Sequence, residues 1–410
     1  MPEFFNLLPP DEALSLFLAA FTATPQPESV SLAEALDRVT LAAIRAPVSV
    51  PAFARSTMDG YAVRAQDTFG ASASLPMYLA LKAEVPMGRA PEFELELAQA
   101  ALIHTGGMLP RGADAVVQIE VTQKSHEREV EVLKSVAPGE NVLQAGDDVM
   151  AGAEVLPAGH WLRPQDLGGL AALGLTPVTV ARRPRVALLA TGDEVVPPEA
   201  EPQMGQVRDV NSYSIGGLIA RAGGVPVRGG IIPDNFEALK AAASAALAAA
   251  DVLVLSAGSS VSVRDLTLEV VAGLGRPGVL VHGVAIKPGK PTLLAAAEGK
   301  PIVGLPGNPV SAMMAAELFL APAIRRLLGC VNPPPAATVR AKLTHNIASQ
   351  TGRVDYVPVR LVWRAGELCA EPVFGKSNQI FILVRAEGLL AVPRDANGLN
   401  AGEMVEVKLF

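Results

Sequence analysis

The stretch "RVALLATGDE" (185–194) runs through five consecutive apolar residues and then turns polar at a threonine, a glycine and two acids. A short apolar run ended by a Gly-containing polar turn reads as a strand buried on both faces. The pattern then alternates. "NSYSIGGLIARAGG" reads as a helix capped by Asn211 or Ser212, and "VPVRGGII" as a strand. "DNFEALKAAASAALAAA" is a helix with Asp234 at its N-cap and Glu237 three residues later. "DVLVLSAG", "VLVHGVAIK" and "KPIVGLPG" read as strands, "RDLTLEVVAGLG" and "NPVSAMMAAELFLAPAIRRLLG" as helices. Strands alternating with helices predict a parallel, doubly wound α/β domain over 184–330. Its ligand is expected beyond the carboxyl ends of the strands.

Outward from that domain the pattern changes twice. "PDEALSLFLAAF" and "SLAEALDRV" have helical spacing, the second with Ser31 and Glu34 placed for a capping box, so residues 1–45 read as helical. Residues 46–151 are turn-rich and strand-like, with "EVEVLKSV" alternating in period two. Helix signals return over 152–183, which is expected to pack with 1–45 and make 46–151 an insertion. After the proline-rich "VNPPPAA", residues 331–410 are β again, with a hairpin turning at Ala365–Gly366.

Composition narrows the function. A chain of 410 residues, half of them hydrophobic, fills several cores without disulfides. Cys330 and Cys369 form no CxxC pair, which excludes a zinc ribbon or redox dithiol. Net charge is −7 and only 4% of residues are aromatic, which argues against a nucleic-acid platform. The opening "MPEFFNLLPPDEAL" lacks a basic n-region, and the most apolar run is alanine-rich and broken by Asp251. No signal peptide or membrane span is expected, and a cytoplasmic protein is.

Five polar loops fall at strand ends: "TGDE", "PDN", "SAGSSVSVRD", "KPGKP" and "GLPGNPVS". Asp193, Glu194, Asp234 and Asp265 are candidates for a divalent cation such as Mg²⁺, although Asp234 alone is as simply a helix cap. "GLPGNPVS" sets Gly304, Gly307 and Asn308 before a helix whose first turn carries Ser311, a place that favours an oxyanion. Lys287 and Lys290 are two like charges three positions apart. At an effective dielectric of about 20, ammonium groups ~8 Å apart repel by roughly 2 kcal/mol, whereas a dianion ~4 Å away attracts each by roughly 8 kcal/mol before desolvation. Lysines pointing into water would need no such anion. No Ser-His-Asp order and no metal-spaced histidines are present.

Together "STMDGYAV", "HTGGMLPRGADAVV", "GENV…GDDV", "ATGDEV", "AIKPGKP", "GLPGNPVS", "GRVDY" and "GKSNQI" resemble the family of bacterial MoeA, a molybdopterin molybdenumtransferase, and the gephyrin E domain. The resemblance implies a helical and β-lasso N-terminal part, a β-rich domain, a molybdopterin-binding-type α/β domain and a C-terminal β-barrel. It implies a homodimer that uses Mg²⁺ to insert molybdate into adenylylated molybdopterin, releasing AMP. Lys287, Lys290, Ser311, Arg353 and Ser377 match the family's molybdate site, and Glu194, Asp234 and Asp265 would position Mg²⁺. Asp59, Thr105 and Asp148 match positions supplied by the β-rich domain. Implied partners are molybdopterin adenylyltransferase and apo-molybdoenzymes. A tungstate-inserting homologue, a molybdopterin adenylyltransferase and a gephyrin-like scaffold are the alternatives. The sequence departs from the family where "SGGVSVG" becomes "SAGSSVSVRD", where Leu143 replaces a basic residue, and where Gly283 replaces a lysine of some relatives.

Overall fold

The structure is a computed structural model that describes residues 7–256 and 261–410, with side chains outside 261–265. The α/β domain is built on a six-stranded sheet in the order Val225–Ile232, Arg185–Thr191, Val252–Ser256, Lys300–Leu305, Leu293–Ala297, Pro277–His282. The first four strands are parallel. Leu293–Ala297 runs antiparallel to both of its neighbours, so the sheet is mixed where the sequence predicted a parallel one. Its "LLAAA" is fully buried but alanine-rich, and alanine carries little strand preference, which is why the pattern did not announce it.

Both faces of this sheet are covered. On one face Leu188, Val254 and Val303 pack with Ile215, Ile219 and Phe319; on the other Leu189, Leu253 and Ile302 pack with Leu239, Leu247 and Val270. Alternate residues of one strand thus serve two cores, and neither face needs polar side chains. The final helical run is continuous but carries a π turn at Ala316–Leu320, between Pro309–Ala315 and Ala321–Leu327. Pro322 has no N–H to donate there, and the wider turn accommodates it.

Two helix starts differ from expectation. Asn211 and Ser212 lie inside the first turn, and Asp209 Oδ1 accepts from the Ser212 N–H at 3.0 Å. The helix Phe236–Ala249 is capped by Asn235, whose Oδ1 accepts from the Ala238 N–H at 3.0 Å, and Asp234 is left for other work. Asn235→Ala is expected to cost about 1 kcal/mol of stability in denaturant titration. An equal loss in Asp234→Ala with none in Asn235→Ala would reverse this assignment.

The N-terminal residues are less helical than their spacing suggests. Pro10–Ala19 is a helix, and its Phe17 joins the α/β core. The Ser31–Glu34 capping box does form, with the Ser31 N–H donating to Glu34 Oε2 at 3.2 Å, but it closes only a single 3₁₀ turn. The strands Pro27–Val30 and Ile44–Arg45 pair antiparallel with Val178–Ala181 and Glu154–Leu156, around a core of Val30, Ala35, Leu156, Leu162 and Leu170. Between them lies a second six-stranded sheet, including Gly60–Val63, Gln99–Ile103 and Glu129–Val132.

The C-terminal strands close a barrel. Val354–Arg364 pairs with Glu367–Pro372, then come Thr338–Leu343, Met404–Leu409 and Gly388–Val392, which returns to Val354–Arg364. "VLVHGVAIK" is not one strand: Pro277–His282 stays in the α/β sheet, while Ile286–Lys287 crosses to pair in parallel with Val354–Asp355 of the barrel strand. The break is at Gly283, whose φ of +102° suits glycine. Among the described residues no helix is long and apolar enough to cross a membrane.

Candidate functional site

The crossing of Ile286–Lys287 onto the barrel builds the site. It sets Lys287 opposite Asp355 in the ladder, with Lys287 Nζ 3.5 Å from Asp355 Oδ2. Arg353 lies two residues before Asp355 and so on the same face. Its Nε donates to Asp355 Oδ1 at 2.7 Å. Asp355 is only 3% exposed. A buried carboxylate therefore pins two cations, supplying a neutraliser that the sequence reading did not single out. Its only signal was the charged residue inside the strand "VDYVPV".

The loop that carries the lysines is closed from both sides. The Val284 N–H donates to the Lys290 carbonyl at 2.9 Å, and Thr292 Oγ1 to the Gly289 carbonyl at 2.6 Å. Gly289 sits at φ +111°, and a Cβ there would lie 3.0 Å from Ile286 Cδ1. Across the gap, the helix Pro309–Ala315 is joined to the C-terminal domain: the Val310 N–H donates to the Ser377 carbonyl at 3.1 Å, and Asn308 Nδ2 to Ser377 Oγ at 3.1 Å. Lys287, Lys290, Asn308, Ser311, Arg353 and Ser377 line one cavity of 820 Å³. Lys376, absent from the sequence-derived set, lines it as well. Among the described lining residues, four cations share the cavity with the carboxylate of Asp355. Gly304 lines no such space; it lies in its strand beneath Leu293, with room for a Cβ only 2.8 Å from Leu293 Cβ.

A second cavity, of 520 Å³, opens along the strand ends and is lined by Thr191, Glu194, Asp209, Asn211, Ser256 and Gly307. Asn308 and Asn378 wall both cavities. Beside it Asp234 and Asp193 exchange hydrogen bonds: the Asp234 N–H donates to Asp193 Oδ1 at 3.2 Å and the Asp193 N–H to Asp234 Oδ2 at 3.4 Å. Burial pushes the Asp234 carboxyl above its ordinary pKa, and the negative charges of Asp193 and Glu194 push it further. Among the described residues Asp234 Oδ1 is buried without a hydrogen-bond partner within normal distance, and the Thr191 hydroxyl beside it draws the pKa back down.

Crowded carboxylates with an orphan oxygen fit a hard cation. Among the described residues no three His, Cys, Asp or Glu side chains converge as a metal cage. A cation held by these carboxylates would take its remaining ligands from water or substrate oxygens, as Mg²⁺ commonly does. The Asp265 side chain lies outside the described residues.

Asp59, Thr105 and Asp148 are placed elsewhere. Asp59 Oδ1 accepts from the Thr105 N–H at 2.8 Å and lies 3.6 Å from His104 Nδ1. The Thr105 N–H, then its hydroxyl and His104, hold the Asp59 carboxyl below its usual pKa. Asp148 lines a separate 190 Å³ pocket with Gln165 and Asp166. None of the three lines either cavity of the α/β rim.

Three family models cover most of the chain: the MoeA N-terminal region (domains I and II) over residues 8–174, a probable molybdopterin-binding domain over 187–326, and the MoeA C-terminal region (domain IV) over 340–410. A putative molybdopterin biosynthesis protein of Methanocaldococcus jannaschii is 36% identical, the alignment covering 93% of this chain and 92% of the relative. Molybdopterin molybdenumtransferase 2 of Mycobacterium tuberculosis is 33% identical over 93% and 95% of the two chains. The crystal structure of a MoeA protein from Pyrococcus horikoshii superposes with a TM-score of 0.86 at 32% identity, covering 99% of this chain and all of the other.

Proposed function

The chain belongs to the MoeA family of molybdopterin molybdenumtransferases, and from that premise we propose that it transfers molybdate to adenylylated molybdopterin, with Mg²⁺ assisting and AMP released. The observation that carries this reading is the 820 Å³ cavity whose described lining brings together Lys287, Lys290, Arg353 and Lys376 with one carboxylate, Asp355. An excess of positive charge around a space that size favours a small oxyanion substrate. Asp355 orients Arg353 while leaving three of its five N–H donors uncommitted. Ser311 and Ser377 add hydroxyls, and molybdate, a tetrahedral dianion, matches such a donor set.

The rest of the substrate would extend past Asn308 and Asn378 into the second cavity. Glu194 and Asp234, with Asp265 as the family match implies, would hold Mg²⁺, which supplies positive charge at the phosphoanhydride. Water would attack the phosphoanhydride phosphorus with AMP as leaving group, and the dithiolene thiols would replace oxygens on molybdenum, which depart as water carrying the thiol protons. No enzyme nucleophile is required; the residues contribute placement and charge. Asp59, Thr105 and Asp148, which line neither cavity of their own chain, are proposed to serve the cleft of a second copy in a homodimer. The substrates are water-soluble, and the reaction is proposed for the cytoplasm, with molybdopterin adenylyltransferase upstream and apo-molybdoenzymes downstream.

Reconstitution tests this. Purified protein supplied with adenylylated molybdopterin, molybdate and Mg²⁺ is expected to release AMP and yield active cofactor, and chelator is expected to abolish both. No AMP from the complete mixture would overturn the activity, and full release in chelator would remove Mg²⁺ from it. A tungstate arm reports the choice of oxyanion.

A further inference from the structure

Asn211 was legible in the sequence only as a possible helix cap, yet its side chain makes no capping bond. It is 7% exposed and lines the 520 Å³ cavity. Asn211 Nδ2 donates to Ser256 Oγ at 2.9 Å and to the Gly307 carbonyl at 2.9 Å. A carbonyl can only accept, so the amide cannot be turned around, and both of its N–H donors are committed. Among the described residues Asn211 Oδ1 is buried and has no hydrogen-bond partner. The Thr191 hydroxyl, on a residue 2% exposed in the same cavity wall, faces the Asp234 carboxylate.

A buried acceptor left unpaired costs free energy that a ligand donor would recover. We propose that Asn211 is a specificity residue whose Oδ1 accepts from the donor edge of the substrate's pterin, in the second cavity. This rests on the proposed molybdopterin substrate and adds to it a location and a reading group. A pterin presents its ring N3–H beside an exocyclic amine, two adjacent donors. Adenine presents a single amine between acceptors and suits a wall of acceptors less well. The shared walls Asn308 and Asn378 let one substrate place its pterin here and its reacting end among the lysines.

Asn211 also holds Gly307, so loss of activity in a variant would not separate reading from scaffolding. Ligand discrimination does. The probes are 6-hydroxymethylpterin and its N3-methyl derivative, with binding followed by pterin fluorescence on the full-length protein without molybdate. The wild type is expected to prefer the unmethylated probe by about 10- to 100-fold. Asn211→Ala should bring the two affinities together, whereas a merely scaffolding residue would weaken both equally and keep their ratio. Asn211→Asp, which retains an acceptor, should keep the preference. Equal wild-type affinities, a preference that survives in Asn211→Ala, or displacement of the pterin by AMP alone would overturn the inference. Failed reconstitution with discrimination intact would sink the molybdate-insertion reading and leave this one standing. Successful reconstitution without discrimination would do the reverse.

Discussion

Lys290→Ala and Arg353→Ala are each expected to raise the molybdate concentration for half-maximal cofactor synthesis by about 100-fold. Each removes a cation from the lining of the 820 Å³ cavity. A dianion ~4 Å from one such charge gains roughly 8 kcal/mol gross at an effective dielectric near 20. Desolvation of both partners takes back most of it, and a net loss of about 2.7 kcal/mol corresponds to that 100-fold change. Arg353→Lys should fall between, because it keeps the charge but loses the planar fork that Asp355 orients. The double variant should lose less than the sum, since both cations act on one ion. Arg353→Ala also takes a partner from the buried Asp355 and should lower the unfolding midpoint, so the assay is run well below it. Unchanged molybdate dependence in both single variants would remove the oxyanion from this cavity.

Asp166→Ala is expected to cost about 3 kcal/mol of stability at neutral pH, with no direct effect on molybdate. Asp166 is 8% exposed in the first turn of the helix Pro164–Ala172. Its carboxylate accepts from the Arg163 N–H at 2.8 Å, Arg163 Nε at 3.0 Å and Arg163 Nη2 at 3.0 Å, and lies 2.8 Å from His160 Nε2. Deleting it leaves the start of this helix without its acceptor and His160 and Arg163 without their shared partner.

Burial alone would raise the Asp166 pKa, but the Arg163 and His160 contacts outweigh it and hold the carboxyl well below its usual range. A depressed carboxylate contributes stability above the unfolded pKa and loses it as pH falls towards the folded one. The gap between wild type and Asp166→Ala should therefore narrow by about 1 kcal/mol between pH 7 and pH 3. Denaturant titrations at the two pH values measure it. An equal gap at both would show that packing, and not the ionised network, holds this helix.

Local chemistry explains what could be read in advance. "RVALLAT" and "DVLVLSAG" were legible as buried strands because strands covered on both faces have no polar positions to keep. The polar loops that end them could be placed on one rim, and the motif set identified the family. The cap of Phe236–Ala249 was not legible, because Asp234 and Asn235 are neighbours with the same capping chemistry and only the backbone path chooses between them. Nor was Leu293–Ala297, whose alanines suit helix and buried strand alike.

The sequence by itself determined the alternation of buried strands and helices through most of the α/β domain, the family, and the residue types that meet an oxyanion. These follow from local periodicity and from spacing along the chain. Only the tertiary structure decided what faces them. Lys287 meets Asp355 because two strands 68 residues apart in sequence fall into register. Arg353 and Ser377 reach Ser311 because the barrel packs over a helix start. Asn211 presents a bare acceptor because Gly307 and Ser256 hold its other end. Pairings across such separations depend on how whole domains pack, and no window along the chain contains both partners.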